Sequence, residues 1–330
     1  MDTEVFSPEL QQWLAYGVMT GFSDEAIVAQ SQDLPREPLL RILAEMRQSP
    51  LTAVGSQFAR QVVHLQWLLN LQTELQQNSP YQELDILQAD QLEEIRKNYL
   101  FANRPVKIQG LLADWPAREW SPEYLRKRWG DRTIQYTRRN SDRTSSQTQN
   151  CQGTLGEFLD RIEAPDSHGQ FYWTAYNQME ENPLLTELSE GIRELPGLCR
   201  PLQDGRVYYW IGPGGTRSGL HFDPYNVLFA QLRGSKRFYL LPPSAMPRLY
   251  LANDFFSPVD LEHRDEVRYP LSQGLRPLET VVGEGEVLLL PVGWFHQVTS
   301  LGYSVSISLT QLDMPGGNQY APPSAYRGVL

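Results

Sequence analysis

The chain has 330 residues, of which 41% are apolar and 21% charged, and it carries a net charge of −10. That is the profile of a soluble globular protein long enough for one large or two ordinary domains. It argues against a nucleic-acid partner, because phosphate binding needs a concentrated basic face and the densest basic group here, Arg126 to Arg139, is interrupted by Asp131.

Two cysteines, Cys151 and Cys199, occur without a CxxC pair, which points to free thiols in a reducing cytoplasm. The N-terminus has Asp2, Glu4 and Glu9 in place of a basic start and an apolar run, so no signal peptide is expected. No apolar stretch approaches the ~20 residues of a membrane helix. A cytoplasmic protein without membrane contact is the expectation.

In chain order, residues 8 to about 98 read as helix throughout. Ser7-Pro8 is a cap followed by a proline at the first helical position. Ser23 opens a second helix, and a third runs from Pro38 to Met46. The longest, about Leu51 to Gln77, repeats Val54, Phe58, Val62, Leu65 and Leu69 at helical spacing. Trp67, Leu68, Leu71 and Leu75 add apolar surface off that stripe, so the helix needs cover on two faces. The expected cover is the catalytic domain, a second copy of the chain, or a docked peptide. His64 beside the stripe reads as a packed or surface residue. A fifth helix is expected from about Leu84 to Asn98.

Next come a short strand at Arg104–Ile108, a helix at Ser121–Trp129, a strand at Ile134–Thr137 and a helix at Thr154–Ile162. A further strand, Phe171–Ala175, follows the turn that carries His168, read as a surface residue. Residues 139–153 are almost wholly polar and read as a loop, a candidate lid. From Arg206 onward closely spaced strands dominate: Tyr208–Ile211, His221–Leu232, Arg237–Leu241, Glu279–Val282, Val287–Leu290, Gln297–Thr299 and Tyr303–Leu309. Such spacing, without helical periodicity between strands, points to a sandwich or barrel. The expected domains are a helical region at 1–98 and a catalytic domain at 99–330.

The chemistry concentrates in TRSGLHFDPYNVLFAQLRGSKRFYLL, residues 216–241. On an extended strand His221 and Asp223 share one face. His296, in PVGWFH, is 75 residues beyond His221 and can return on a neighbouring strand. Two imidazoles and one carboxylate suit Fe(II) with coordination positions left open, and zinc would accept the same set. Lys236 follows a glycine turn at the start of the next strand, where a hairpin would set it beside the metal strand. A cation there would neutralise the distal carboxylate of a bound 2-oxo acid. His263 lies in a charged insert, EHRDE, expected to be exposed and to cross the barrel mouth.

These residues carry a resemblance. From about Arg104 to Leu309 the chain resembles the JmjC and cupin-like 2-oxoglutarate oxygenases, in particular the small hydroxylase branch that includes the asparaginyl hydroxylase acting on hypoxia-inducible factor. NRPVKIQGLLADWPA, LHFDPYNVLFAQLRGSKRFYLLPP and GEGEVLLLPVGWFHQVTSL carry the likeness. The resemblance implies a double-stranded β-helix (jelly-roll, cupin) barrel, mainly β with α, preceded by the all-helical N-terminal region. It implies Fe(II) on His221, Asp223 and His296, with 2-oxoglutarate and O2 as cosubstrates. Lys236 would pair with the 2-oxoglutarate 5-carboxylate and Tyr172 would donate to it. Ser218 and Ser306 match small polar positions near the cosubstrate. The family often has an asparagine one residue beyond Asn226, and a one-residue shift on a strand reverses the face.

The reading is therefore a dioxygenase hydroxylating a protein or peptide side chain, with the N-terminal helices serving substrate recognition or homodimerisation. The rivals are a small-molecule hydroxylase, a lysine demethylase of the same family, and a non-catalytic cupin that only binds a partner.

Overall fold

The computed structural model describes residues 6–31, 34–78, 83–139, 148–175, 183–199, 207–251, 255–318 and 320. The chain divides into two compact units, Met1–Leu75 and Gln76–Leu330.

The first unit holds α1 (Pro8–Met19), α2 (Asp24–Gln30), α3 (Arg36–Gln48) and most of α4 (Pro50–Gln77). Ser7 and Ser23 cap α1 and α2 by accepting from the Leu10 and Ala26 amides, which satisfies donors that a helix start leaves orphaned. Leu14, Val18, Ile27, Leu39 and Leu43 close a small core. The α4 stripe behaves otherwise: Val54, Phe58, Val62 and Leu65 stay about half exposed, and Thr52 and Thr73 are the buried residues of this helix.

In the second unit the expected helix at 84–98 is replaced over its first turn by β1 (Ile86–Gln88), which adds parallel to β2 (Val106–Gln109). Backbone pairing at that sheet edge outweighs the helical propensity of the segment. Helix resumes as α5 (Leu92–Glu94), which runs into a π-helical turn, Ile95–Leu100. After α6 (Pro122–Trp129), β3 (Thr133–Arg139) pairs along its length with β4 (Thr148–Thr154). The polar stretch at 139–153 is thus partly strand, and the possible lid at 140–147 lies outside the described residues. The chain continues through α7 (Leu155–Glu163), β5 (Phe171–Ala175), α8 (Pro183–Ser189) and β6 (Val207–Gly212). Thr154 and Glu157 form a reciprocal capping box on α7.

The remaining strands are β7 (Arg217–His221), β8 (Val227–Arg233), β9 (Lys236–Leu241), β10 (Leu278–Val282), β11 (Glu286–Leu290), β12 (Phe295–Ser300) and β13 (Ser304–Leu309). Except from β9 to β10, successive strands cross between two sheets of the described residues. One has nine strands in the order β1-β2-β11-β8-β13-β6-β5-β3-β4, and the other has four, β10-β9-β12-β7. A chain that crosses between facing sheets in this way makes a jelly roll.

The two faces of β8 show why its sequence is a continuous apolar run. Val227 and Phe229 face Phe238, Leu240, Leu288 and Leu290 between the sheets. Leu228, Ala230 and Leu232 join the larger core behind, with Trp120, Leu125, Phe158 and Leu188. A strand covered on both sides loses the polar alternation of a half-exposed one. The insert after β9 contributes Leu249, Val259 and Leu261 to a third cluster, with Leu220, Phe222 and Phe295.

Candidate metal and cosubstrate site

His221 and His296 face each other across the β7–β12 pair as register partners, and a bulge follows between His296 and Val298. Their ring centroids lie 4.2 Å apart. Asp223 completes the group: one ligand atom from each of the three residues lies within 4.8 Å of the others, and His296 Nε2 is 3.6 Å from Asp223 Oδ2.

One detail departs from the sequence expectation. The strand ends at His221, and Asp223 sits in the following loop, next to Pro224. Proline has no N–H for a ladder and restricts the residue before it. Asp223 therefore reaches the site from the loop, where its carbonyl accepts from the Gly293 amide at 3.1 Å. That bond ties the loop to the turn that presents His296.

Both imidazoles are held by their inner nitrogens. Nδ1 of His221 is 2.7 Å from the Gly219 carbonyl, and Nδ1 of His296 is 3.0 Å from the Trp294 carbonyl. A carbonyl only accepts, so each Nδ1 carries the proton and each Nε2 keeps its lone pair for a metal. Burial, with His221 next to it, pushes the His296 imidazolium down to about 3, so the ring is neutral. Burial raises the Asp223 carboxyl, against the pull of His221. Two imidazoles and one carboxylate converging on one point fit a divalent ion.

The triad lines a cavity of about 200 Å³ with Tyr172, Ser218, Phe229, Lys236 and Ser308 also in its wall. That is below the ~300–1,000 Å³ of drug-sized sites and suits a small acid. Lys236 is 1% exposed. Its ammonium donates to the Tyr172 hydroxyl at 3.0 Å and lies 5.3 Å from the Phe229 ring centroid. Among the described residues no carboxylate pairs with it, and burial pushes it down to about 7.

The route by which Lys236 gets there differs from a hairpin. β8 and β9 lie in different sheets, and Gly234 turns the chain across the gap with φ 69°. A side chain at this position would meet the Tyr303 carbonyl oxygen at 2.0 Å, so only glycine fits. The lysine then points back between the sheets.

Ser218 lines the cavity, whereas Ser306 does not: its hydroxyl donates to Gln231 Oε1 at 2.9 Å deeper between the sheets. Ser308, two residues on and on the same face, is the cavity residue, and it accepts from the Trp210 indole at 3.0 Å. Asn226 is buried outside the cavity wall. Its Nδ2 donates to Asn318, and its Oδ1 accepts from the Val292 amide. It braces the loops that carry Asp223 and His296. His263 is exposed and lies around a separate cavity with His168 and Arg139, so neither of these histidines joins the triad. His64 is exposed on α4. The sequence reading missed Phe256, Trp210 and Tyr225, all in the cavity wall. Trp210 lies within β6 and could have been found by alternation; Tyr225, in the loop before β8, and Phe256 carry no such signal.

Residues 92–310 match the cupin-like domain family. The chain belongs to that family. Curated proteins similar to it carry the names lysine-specific demethylase and JmjC domain-containing protein. It is 32% identical over 244 residues to lysine-specific demethylase 8 of Danio rerio, covering 70% of this chain and 58% of the relative. It is 29% identical over 231 residues to the Xenopus tropicalis protein of that name, covering 67% and 51%. With lysine-specific demethylase JMJ30 of Arabidopsis thaliana it shares 30% over 230 residues, covering 66% and 52%. The chain spans about half the length of these curated relatives. Among the described residues no helix is long and apolar enough to cross a membrane.

Proposed function

We propose that the chain is an Fe(II)- and 2-oxoglutarate-dependent dioxygenase that hydroxylates a side chain of a protein or peptide. The observation that carries this reading is the pairing, in one small cavity, of the His221–Asp223–His296 group with a buried lysine that has no carboxylate partner among the described residues. The triad alone would serve many metal sites. The lysine selects an anionic cosubstrate.

His221, Asp223 and His296 would hold the iron, whose chemistry when bound is the activation of dioxygen and 2-oxoglutarate toward a C–H bond. The balanced outcome is 2-oxoglutarate, O2 and R–H giving succinate, CO2 and R–OH. Lys236 pairs with the distal carboxylate, regains a fully protonated ammonium as it does so, and fixes the acid's orientation. Tyr172, already bonded to that ammonium, would donate to the same carboxylate. Aromatic groups in the wall keep water from the reacting end. The half-exposed apolar residues of α4 support a partner of protein or peptide size.

A second reading is lysine N-demethylation, favoured by the names of the relatives. It uses the same hydroxylation, on an N-methyl carbon, with loss of formaldehyde. The deciding experiment incubates purified protein with Fe(II), 2-oxoglutarate and a peptide library, methylated and unmethylated, and reads succinate and formaldehyde. Succinate stimulated by unmethylated peptides without formaldehyde supports side-chain hydroxylation. Formaldehyde from methyl-lysine peptides supports demethylation. Stimulation only by free amino acids or metabolites overturns the protein-substrate reading, and no turnover with iron bound leaves a non-catalytic cupin.

A further inference from the structure

The insert between β9 and β10 returns to the site at Phe255-Phe256-Ser257. This short run lies along the free edge of β7. The Phe222 amide donates to the Phe255 carbonyl at 3.2 Å, and the Ser257 amide donates to the Leu220 carbonyl at 2.9 Å. Successive side chains of an extended segment face opposite ways. Phe255 turns to the core, 5.4 Å from the Phe222 ring centroid. Phe256, paired with His221 as a bridge residue, lies flat on the His221 ring at 5.2 Å between centroids and 13° between planes. It remains 48% exposed and also lines the triad cavity.

Among the described residues, three contacts define the His221 ring. The Gly219 carbonyl holds Nδ1 and fixes the direction in the ring plane. Motion out of that plane is opposed by the rings of the two residues that pair with His221 from either edge of β7: His296, tilted at 54° to it, and Phe256, nearly parallel. A hydrogen bond alone leaves the ring free to tilt about the Nδ1···O line, which would swing Nε2 away from the shared point of the triad. The aromatic face removes that freedom. Phe256 both lines the cavity and is half exposed, so it joins the cavity wall to the outer surface.

We propose that Phe256 is a positioning residue. One face locks the His221 ring for metal binding, and its exposed edge forms the entrance wall that a substrate side chain passes. The second half rests on the oxygenase reading above; the first half does not.

The test uses the full-length protein and has two readouts. Metal affinity is measured without cosubstrate by titrating Co(II) and following its visible ligand-field absorption, for wild type, Phe256→Ala, Phe256→Leu and Phe256→Tyr. Outer-sphere support of a metal ligand is typically worth ~10–100-fold in affinity. Phe256→Ala is expected to bind Co(II) about tenfold more weakly, Phe256→Leu to be weakened to a lesser degree, and Phe256→Tyr to bind like wild type. The second readout is succinate formation at saturating Fe(II), where Phe256→Ala should raise KM for the stimulating peptide more than it lowers kcat, with KM for 2-oxoglutarate unchanged.

Equal Co(II) affinity in all four proteins overturns the positioning role, whatever the wild type turns over. An unchanged peptide KM in Phe256→Ala overturns the entrance-wall role. If the wild type binds Co(II) tightly but makes no succinate, the oxygenase reading fails while the metal titration still decides the positioning role. Phe256→Leu, which keeps the apolar volume, separates loss of the aromatic face from local collapse.

Discussion

Replacing Lys236 with methionine should make the cosubstrate-free protein more stable and the cosubstrate complex much weaker. Burial lowers the lysine from 10.5 to about 7. At ~1.4 kcal/mol per tenfold, that drop is a penalty of about 5 kcal/mol on the charged form. The sign follows from proton linkage. Below about pH 7 folded and unfolded chains both carry the proton and the penalty is complete; as pH rises toward 10.5 the unfolded lysine also loses its charge and the penalty fades. Against this gain, methionine gives up the hydrogen bond to Tyr172, worth ~1 kcal/mol, and the ring contacts with Phe229 and Tyr172, worth ~1 kcal/mol. A net stabilisation of about 3 kcal/mol remains on the acid side of pH 7, roughly 6–12 °C in Tm for a unit of this size.

The assay is calorimetric melting of both proteins from pH 6 to 9.5, with and without 2-oxoglutarate. The stability advantage of Lys236→Met should be largest at the acid end and shrink as pH rises. Added 2-oxoglutarate should reverse the order, because wild type gains a paired ammonium and the variant leaves a buried carboxylate without a partner. Such an unpaired charge costs ~3–5 kcal/mol, at least about 100-fold in affinity. A variant less stable than wild type at acid pH, or one that keeps 2-oxoglutarate affinity, would refute the reasoning.

Three further outcomes follow from contacts described above. Tyr172→Phe keeps the ring but loses a hydroxyl that serves a charged pair, so 2-oxoglutarate should bind roughly tenfold more weakly by calorimetric titration, with Tm little changed. Gly234→Ala forces a side chain onto the Tyr303 carbonyl at a positive φ, and should lower stability by more than ~2 kcal/mol in urea unfolding. Asn226→Ala strands the Val292 amide and removes one of the donors to Asn318 Oδ1, which keeps the Asn226 backbone amide. It should cost ~2–3 kcal/mol of stability, with metal affinity falling as the loops bearing Asp223 and His296 loosen.

The legible part of the site was the part encoded by residue type and order. His221, Asp223, His296 and Lys236 combine chemistries that few core positions require, and the structure brings all four around one cavity. Strand alternation predicted faces well inside strands and failed at their ends. Asp223 was assigned to a strand that stops at His221, because Pro224 ends the ladder there. The resemblance implies Ser306, whereas the cavity is lined by Ser308, on the same face of β13; alternation alone does not tell the two apart. Ile86–Gln88 read as helix because its partners in β2 are 21 residues away in sequence, Ile86 pairing with Lys107, and no local pattern announces an edge pairing. Phe256 was invisible for a related reason: its role comes from where a long insert returns, which depends on hydrogen bonds to β7 and not on spacing.

The central claim is that His221, Asp223 and His296 hold the iron of a 2-oxoglutarate oxygenase. Asp223→Ala tests it most directly, compared with wild type for Fe(II) binding and for succinate formed per 2-oxoglutarate consumed under air. Wild type should bind one Fe(II) and convert 2-oxoglutarate to succinate. The variant should lose at least ~100-fold in both, with an unchanged fold by circular dichroism. Succinate formation by Asp223→Ala at the wild-type rate, or none from iron-loaded wild type with any substrate, would contradict it.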